Sequence, residues 1–204
     1  MLGWIVVKNR KFNLGGNHML DQKKALIIID VQKAFDDEKW GERNNPNAEG
    51  NIRKILQLWR EKGWLVIHIQ HTSDNPNSVF YPKNEGFAIK DIVEPIDEEV
   101  IITKKVNSGF IGTNLEEHLK VNGITTVVIT GLTTPHCVST TTRMSGNLGF
   151  ATYLISDATA AFGMKDHNDT YYDADTIHNV SLATLHDEFA TILTTEQLIN
   201  DFIK

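Results

Sequence analysis

The chain has a single cysteine, Cys137, in 204 residues. One thiol excludes an internal disulfide and makes a reducing, cytoplasmic compartment the natural expectation. No apolar run approaches the ~18 residues that a membrane-spanning helix needs. Basic residues are in the minority, 20 Lys and Arg against 26 Asp and Glu, and nowhere cluster, which argues against a nucleic-acid surface. Residues 1–8 are too short and too weakly apolar for a secretory signal. What is present, 41% apolar and 23% charged residues, is an ordinary soluble globular composition, long enough for one domain with a sizeable core. Met19 directly precedes the first regular segment, so residues 1–18 read as an extension without assigned function, and 19–204 as the domain.

Residues 24–30, 64–70, 99–103, 125–130, 151–156 and 189–193 are short apolar or β-branched runs, the pattern of strands buried on both faces. Between them apolar positions return at helical spacing. Ile52, Ile55, Leu56, Leu58 and Trp59 lead up to Gly63. Leu115, Leu119 and Val121 follow a capping-box pattern at 113–116, and Ile177, Val180 and Leu185 share a face within 174–186. A last helix begins at 195. Thr134 is expected as an N-cap with Pro135 at the first helical position, and Gly149 at the C′ position of the same helix. The alternation predicts an α/β fold: a three-layer Rossmann-like domain, its six-stranded parallel sheet carrying helices on both faces. Two polar connections, 36–47 and 72–95, are long enough to be functional loops.

In such sheets ligands bind outside the carboxyl ends of the strands. Asp30, Lys104 and Cys137 each follow a different expected strand at that end. Cys137 also falls in the first turn of a helix, where unpaired N–H groups and the helix dipole are expected to ease ionisation of a thiol. A cysteine nucleophile needs a proton acceptor and a means of holding charge. Asp30 suits the role of base and then acid toward a leaving amine, and Lys104 that of electrostatic partner. The backbone N–H of Cys137, with one from the Leu132–Thr133 turn, suits an oxyanion site. The reaction class is acyl transfer to sulfur, release of an amine, then hydrolysis of the thioester.

These residues carry a family resemblance. Asp30-Val-Gln-Lys-Ala-Phe35, Lys104-Lys-Val-Asn-Ser-Gly-Phe110 and Gly131-Leu-Thr-Thr-Pro-His-Cys-Val138 resemble the aspartate, lysine and nucleophile motifs of the isochorismatase-like cysteine hydrolase superfamily. That superfamily includes nicotinamidases, carbamoylsarcosine amidohydrolases and ureidoacrylate amidohydrolases. The resemblance runs from about Leu20 to the C-terminus. It implies catalytic roles for Asp30, Lys104 and Cys137, with Lys104 preferred to Lys105 by its spacing to Phe110. It also implies a non-proline cis peptide at Leu132–Thr133, and a homodimer or larger homo-oligomer. Nicotinamidases carry an Asp-x-His metal site after the second strand. Here that place reads His71-Thr72-Ser73, and no Asp-x-His triplet occurs in the chain, so neither metal nor other cofactor is expected. Isochorismatases proper lack the cysteine and hydrolyse a vinyl ether, so Cys137 argues against that activity. Residues 140–150 and 182–189 look most similar to a branch that includes streptothricin hydrolases, which open a cyclic amide.

Gln32, Phe35, Trp40, His71, Phe110 and His136 are the candidate substrate-binding residues, with Phe80 and Tyr81 in loops able to close over a ligand. Asp157 is placed to support the Cys137 loop. Arg143 reads as one half of a surface ion pair, and His167, His178 and His186 as polar surface. The reading these residues favour is a metal-independent hydrolase that cleaves a C–N bond of a small amide, ureide or cyclic amide through a cysteine thioester. Nicotinamidase and isochorismatase are the other enzyme subtypes. A small-molecule binding module, or a regulatory subunit with a vestigial site, is the alternative on the same fold.

Overall fold

The computed structural model describes residues 23–203, so the extension expected over 1–18 lies outside the described residues. Strands are β1 (Lys24–Ile29), β2 (Leu65–His71), β3 (Val100–Lys104), β4 (Thr126–Leu132), β5 (Ala151–Ala160), β6 (Met164–Lys165), β7 (Tyr171–Tyr172) and β8 (Thr191–Leu193). Helices are α1 (Ala48–Lys62), α2 (Leu115–Val121), α3 (Ser139–Asn147), α4 (Ala174–Ala183) and α5 (Thr195–Ile203). Six strands form one sheet in the order β3-β2-β1-β4-β5-β8, and every pairing in it is parallel. The short β6–β7 pair is antiparallel and was not expected from the sequence. Among the described residues no helix is long and apolar enough to cross a membrane.

Alternation along β1 builds the three layers. Leu26 and Ile28 pack with Ile52, Ile55, Leu56 and Trp59 of α1 and Leu198 and Phe202 of α5. Ala25, Ile27 and Ile29 point the other way, toward Leu115 and Leu119 of α2, Val138 and Leu185. All six residues of β1 are buried, and after Lys24 the strand reads as one continuous apolar run. A third, aromatic cluster of Phe35, Leu132, Ala160 and Phe162, with Trp40 and Phe80 against it, forms among the segments at the carboxyl ends of β1, β4 and β5.

From β1 the chain builds outward to β2 and β3, then returns to the other side of β1 for β4, β5 and β8. The switch point is between β1 and β4, where parallel sheets open a crevice. Gly131 lets these strands close up. Its φ is +123°, and a Cβ there would stand 2.1 Å from the Ile29 carbonyl oxygen, so no other residue fits.

Several boundaries and faces differ from expectation. β4 continues through Gly131 to Leu132 instead of ending at Gly131. β5 runs on past Ser156 because its register against β4 jumps from Leu154 to Thr159, so the strand survives the polar Asp157. Asn114 is the N-cap of α2, without a side-chain capping bond. Thr113 Oγ1 instead accepts from the Leu115 N–H and donates to the Gly109 carbonyl, so the expected capping box is not formed. Val121 and Val180 are 79% and 59% exposed, because α2 ends at Val121 and α4 buries Ala174 and His178 instead. Gly149 does take the expected left-handed C′ position after α3, with φ +90°.

Candidate active site

β1 delivers Asp30 to the crevice. Its N–H still bonds to Ile69 O at 2.9 Å, but its φ of +50° turns the chain out of the strand, and the residue is fully buried. β3 delivers Lys104 as its last residue, in register with His71, the last residue of β2. β4 delivers Cys137 through a single wide turn of π-helix, Thr134–Val138, that runs into α3. Thr133, not Thr134, is the N-cap of that turn, and Pro135 follows Thr134 inside it. The Thr133 carbonyl accepts both the His136 and Val138 N–H groups, and the Leu132–Thr133 peptide is cis.

The three residues meet. Lys104 Nζ donates to Asp30 Oδ2 at 2.6 Å and to Cys137 Sγ at 3.4 Å, and stands 3.0 Å from His71 Nδ1. An ammonium has three protons and no lone pair, so His71 Nδ1 must accept, which leaves the imidazole proton on Nε2. Burial, reinforced by the Lys104 charge, pulls the His71 pKa down to about 4, in keeping with a neutral ring. Asp30 Oδ1 is buried and has no hydrogen-bond partner. Burial raises the Asp30 pKa, opposed by Lys104, so the carboxylate is more basic than one in water. A buried carboxylate with one oxygen paired and one free is equipped to take a proton.

The thiol departs from the sequence expectation. Burial, then the charge of the neighbouring Asp30, pushes the Cys137 pKa up to about 12, with Lys104 acting against them. Cys137 is therefore held as a thiol, with the Asp30 carboxylate beside it as a group able to accept its proton.

Asp30, His71 and Cys137 place one ligand-type atom each within 4.8 Å of one another, so a three-donor cluster exists that the sequence did not reveal. The Lys104 ammonium already lies against all three, in the position a cation would take, and these residues do not fit a metal while it is there.

The other candidate residues divide. Gln32 is fully buried and spends its amide on backbone, donating to the His71 and Phe87 carbonyls and accepting the His71 N–H at 2.8 Å. It shapes the site by holding His71, and the expected substrate contact is corrected to that role. Phe35 and Trp40 stack in the aromatic cluster with Phe162, and Phe80 packs edge-on against both Phe35 and the His71 ring. Trp40 Nε1 donates to the Ala34 carbonyl. Phe110 is buried in the apolar cluster that also holds Cys137, on the α2 side, and is stacked on Phe150. His136 is exposed beside the nucleophile, with Nδ1 3.0 Å from Thr133 Oγ1.

Asp157 does not support the nucleophile turn. Its carboxylate accepts the Thr195 N–H and hydroxyl at the start of α5. Arg143 lies over the Phe189 ring and bonds to Thr184 in place of the expected ion pair. Asn107, three residues after Lys104, has Oδ1 3.9 Å from Cys137 Sγ and was not singled out in the sequence, although it lies inside the lysine motif. His178 is 4% exposed rather than surface polar, and no local pattern marks it.

Comparison with known proteins agrees with this architecture. The Isochorismatase domain family model matches residues 24–197. The uncharacterized isochorismatase family protein YrdC of Bacillus subtilis (strain 168) is 84% identical over 185 residues, covering 91% of this chain and 99% of that protein. A streptothricin hydrolase of Streptomyces noursei is 30% identical over 139 residues, which are 68% of this chain but 50% of that enzyme. A crystal structure from Chromobacterium violaceum, described as an isochorismatase-family hydrolase, superposes with a TM-score of 0.86 at 41% identity, covering 88% of this chain and 93% of that one.

Proposed function

The chain belongs to the isochorismatase family of hydrolases, and we propose that within it this protein cleaves the C–N bond of a small amide, ureide or cyclic amide without a metal, through a thioester on Cys137. The observation that carries the reading is one buried ammonium bound to both a carboxylate and a thiol, with the second carboxylate oxygen free. Asp30 Oδ1 takes the Sγ proton as sulfur attacks the carbonyl carbon, and Lys104 balances the charge that develops. The backbone N–H of Cys137 and one from the Leu132–Thr133 turn hold the oxyanion. Collapse breaks the C–N bond, and Asp30 gives its proton to the departing nitrogen. Water then attacks the thioester and yields its proton to Asp30. The acid leaves, and Asp30 returns that proton to the sulfur. One water is consumed, and one amine and one acid are formed.

The streptothricin hydrolase relative supports cyclic amides as the first substrates to try. Assembly as a homodimer or larger homo-oligomer is part of the proposal, supported by the exposed apolar side chains of Ile101, Val121 and Val180. A binding module without turnover is the second reading, and the raised thiol pKa is what favours it.

Intact-protein mass spectrometry during incubation with amides, ureides and cyclic amides, streptothricin included, separates the two. The expected result is a transient acyl adduct on Cys137 with release of the amine, and loss of turnover in Cys137→Ala. Turnover that survives in Cys137→Ala removes the mechanism. Binding of a panel member without adduct or turnover supports the module. Slow alkylation of the resting thiol does not decide between them, since a buried thiol awaiting its base labels slowly in either case.

A further inference from the structure

Behind the nucleophile turn lies a buried polar chain that the chemistry above does not use. His178 on α4 has Nδ1 2.8 Å from Thr134 Oγ1. Thr134 is fully buried, and its hydroxyl also meets that of Thr159, in the part of β5 that lies beyond the register jump. Asn45, in the segment before α1, donates to the Ser156 and Thr159 carbonyls at 2.9 and 2.8 Å, and its Nδ2 stands 3.4 Å from His178 Nε2. Burial holds His178 below the ordinary histidine range, so near pH 7 the ring is neutral and offers one lone pair. Both Asn45 Nδ2 protons are already spent on the Ser156 and Thr159 carbonyls, so Nε2 has none to accept; the proton is assigned to Nε2, and Nδ1 is left as the acceptor. The hydroxyl protons then run one way, Thr159 to Thr134 and Thr134 to His178.

α4 and β5 thus converge on one hydroxyl, with Asn45 bracing both, and that hydroxyl belongs to the first residue of the π-turn that carries Cys137. We infer that His178 is a positioning residue for the nucleophile: by accepting from Thr134 it fixes the turn that holds Cys137 Sγ against Asp30 and Lys104. His178 touches neither the thiol nor its two partners, so its effect must pass through Thr134. The inference rests on Cys137 being the nucleophile, but its test reads the thiol directly and needs no substrate.

The probe is iodoacetamide at pH 8, with labelling of the single cysteine followed by intact mass. His178→Leu removes the acceptor, Thr134→Val removes the hydroxyl, and His178→Asn keeps an acceptor atom close to the place of Nδ1. Circular dichroism and thermal melts establish that each variant is folded. Releasing the turn takes the thiol out of its buried contact with the Asp30 carboxylate, so its pKa falls toward the ordinary range. Each unit of that fall raises the thiolate fraction, and with it the labelling rate, about tenfold. The expected result is labelling at least about tenfold faster in His178→Leu and in Thr134→Val, and a near wild-type rate in His178→Asn. The double variant His178→Leu/Thr134→Val should label no faster than either single one, as residues acting through one bond must. A wild-type rate in folded His178→Leu, or two effects that multiply in the double variant, overturns the inference. Should His178→Leu not fold, Thr134→Val and His178→Asn decide: fast labelling in the first with slow labelling in the second supports it, and any other combination overturns it. Failure of the hydrolase reading would leave this labelling pattern intact, so the two are separable.

Discussion

At the scale of single residues, the site is decided by what burial does to charge. The Lys104 side chain is closed to solvent, as is that of Asp30, its one anionic partner among the three acceptors around it. Breaking a buried pair leaves an uncompensated charge and costs about 3–5 kcal/mol. Asp30→Asn should therefore lower unfolding free energy by about that amount in urea titrations, and should abolish turnover. Adding Lys104→Met should recover much of the stability and none of the activity. Full activity in Asp30→Asn would mean that another group takes the thiol proton. Asp30, Lys104 and Cys137 were legible because each stands at, or one short turn beyond, the carboxyl end of an apolar strand. The state of the thiol was not. A helix N-terminus favours the thiolate by about 0.3–1 kcal/mol, whereas displacement of the thiol pKa from 9.0 to about 12 corresponds to something on the order of 4 kcal/mol the other way. Burial wins, and only the folded surroundings report burial.

At the scale of elements, the two long connections prove to be fastened to one carboxylate. Glu49, in the first turn of α1, takes both terminal nitrogens of the Arg43 guanidinium at 2.8 and 2.7 Å and Lys90 Nζ at 2.9 Å, and Lys90 also reaches Asp36. Arg43 and Asp36 belong to the 36–47 segment and Lys90 to 72–95, so a single side chain ties both to the helix. Burial alone would raise the Glu49 pKa, but the hydrogen bonds and charges of Arg43 and Lys90 hold it down to about 2. A depressed carboxylate contributes stability above its unfolded pKa and loses it as pH falls through the folded value, so this clamp should open between about 4.5 and 2. Glu49→Gln should loosen both segments at neutral pH, seen as faster limited proteolysis within 36–47 and 72–95 while the strands stay protected. An unchanged digestion pattern would show that the clamp does not restrain them. Neither this clamp nor the true buried face of α4 was visible in the sequence. The Glu49–Lys90 contact joins residues 41 apart, and α4 carries small and polar residues on its inner side where an apolar stripe was expected.

At the scale of the whole molecule, a second buried network ties α1 to the edge of the sheet. Arg60 grips Glu99 at 2.7 and 2.8 Å, and Glu99 also accepts from His68 Nε2 at 2.9 Å in the middle of β2. His68 is 1% exposed and its Nδ1 has no partner. Burial lowers its pKa despite Glu99, so the folded protein keeps it neutral where the unfolded chain would bind a proton. Stability should therefore be fully present above about pH 6.5 and fall as pH drops below it, toward the depressed folded value. His68→Gln should flatten the dependence of the urea midpoint on pH just below 6.5, relative to the wild-type chain. An identical slope in both would assign the acid sensitivity to other histidines.

The sequence by itself determined the fold class, the parallel sheet and the three motif residues at strand ends, because those signals are local. A buried parallel strand must be apolar along its length, and the residue that leaves it must face the crevice. It also carried the Leu132–Thr133 cis peptide, through motif resemblance. The tertiary structure decided what each polar group does. It turned Gln32 toward backbone, placed Phe110 in the core, brought Asn107 to the thiol and buried His178 against Thr134. Lys104 and Asp30 are 74 residues apart, and Thr134 and His178 are 44. Protonation and hydrogen bonding depend on such distant neighbours and on the exclusion of water, and neither exists until the strands have packed.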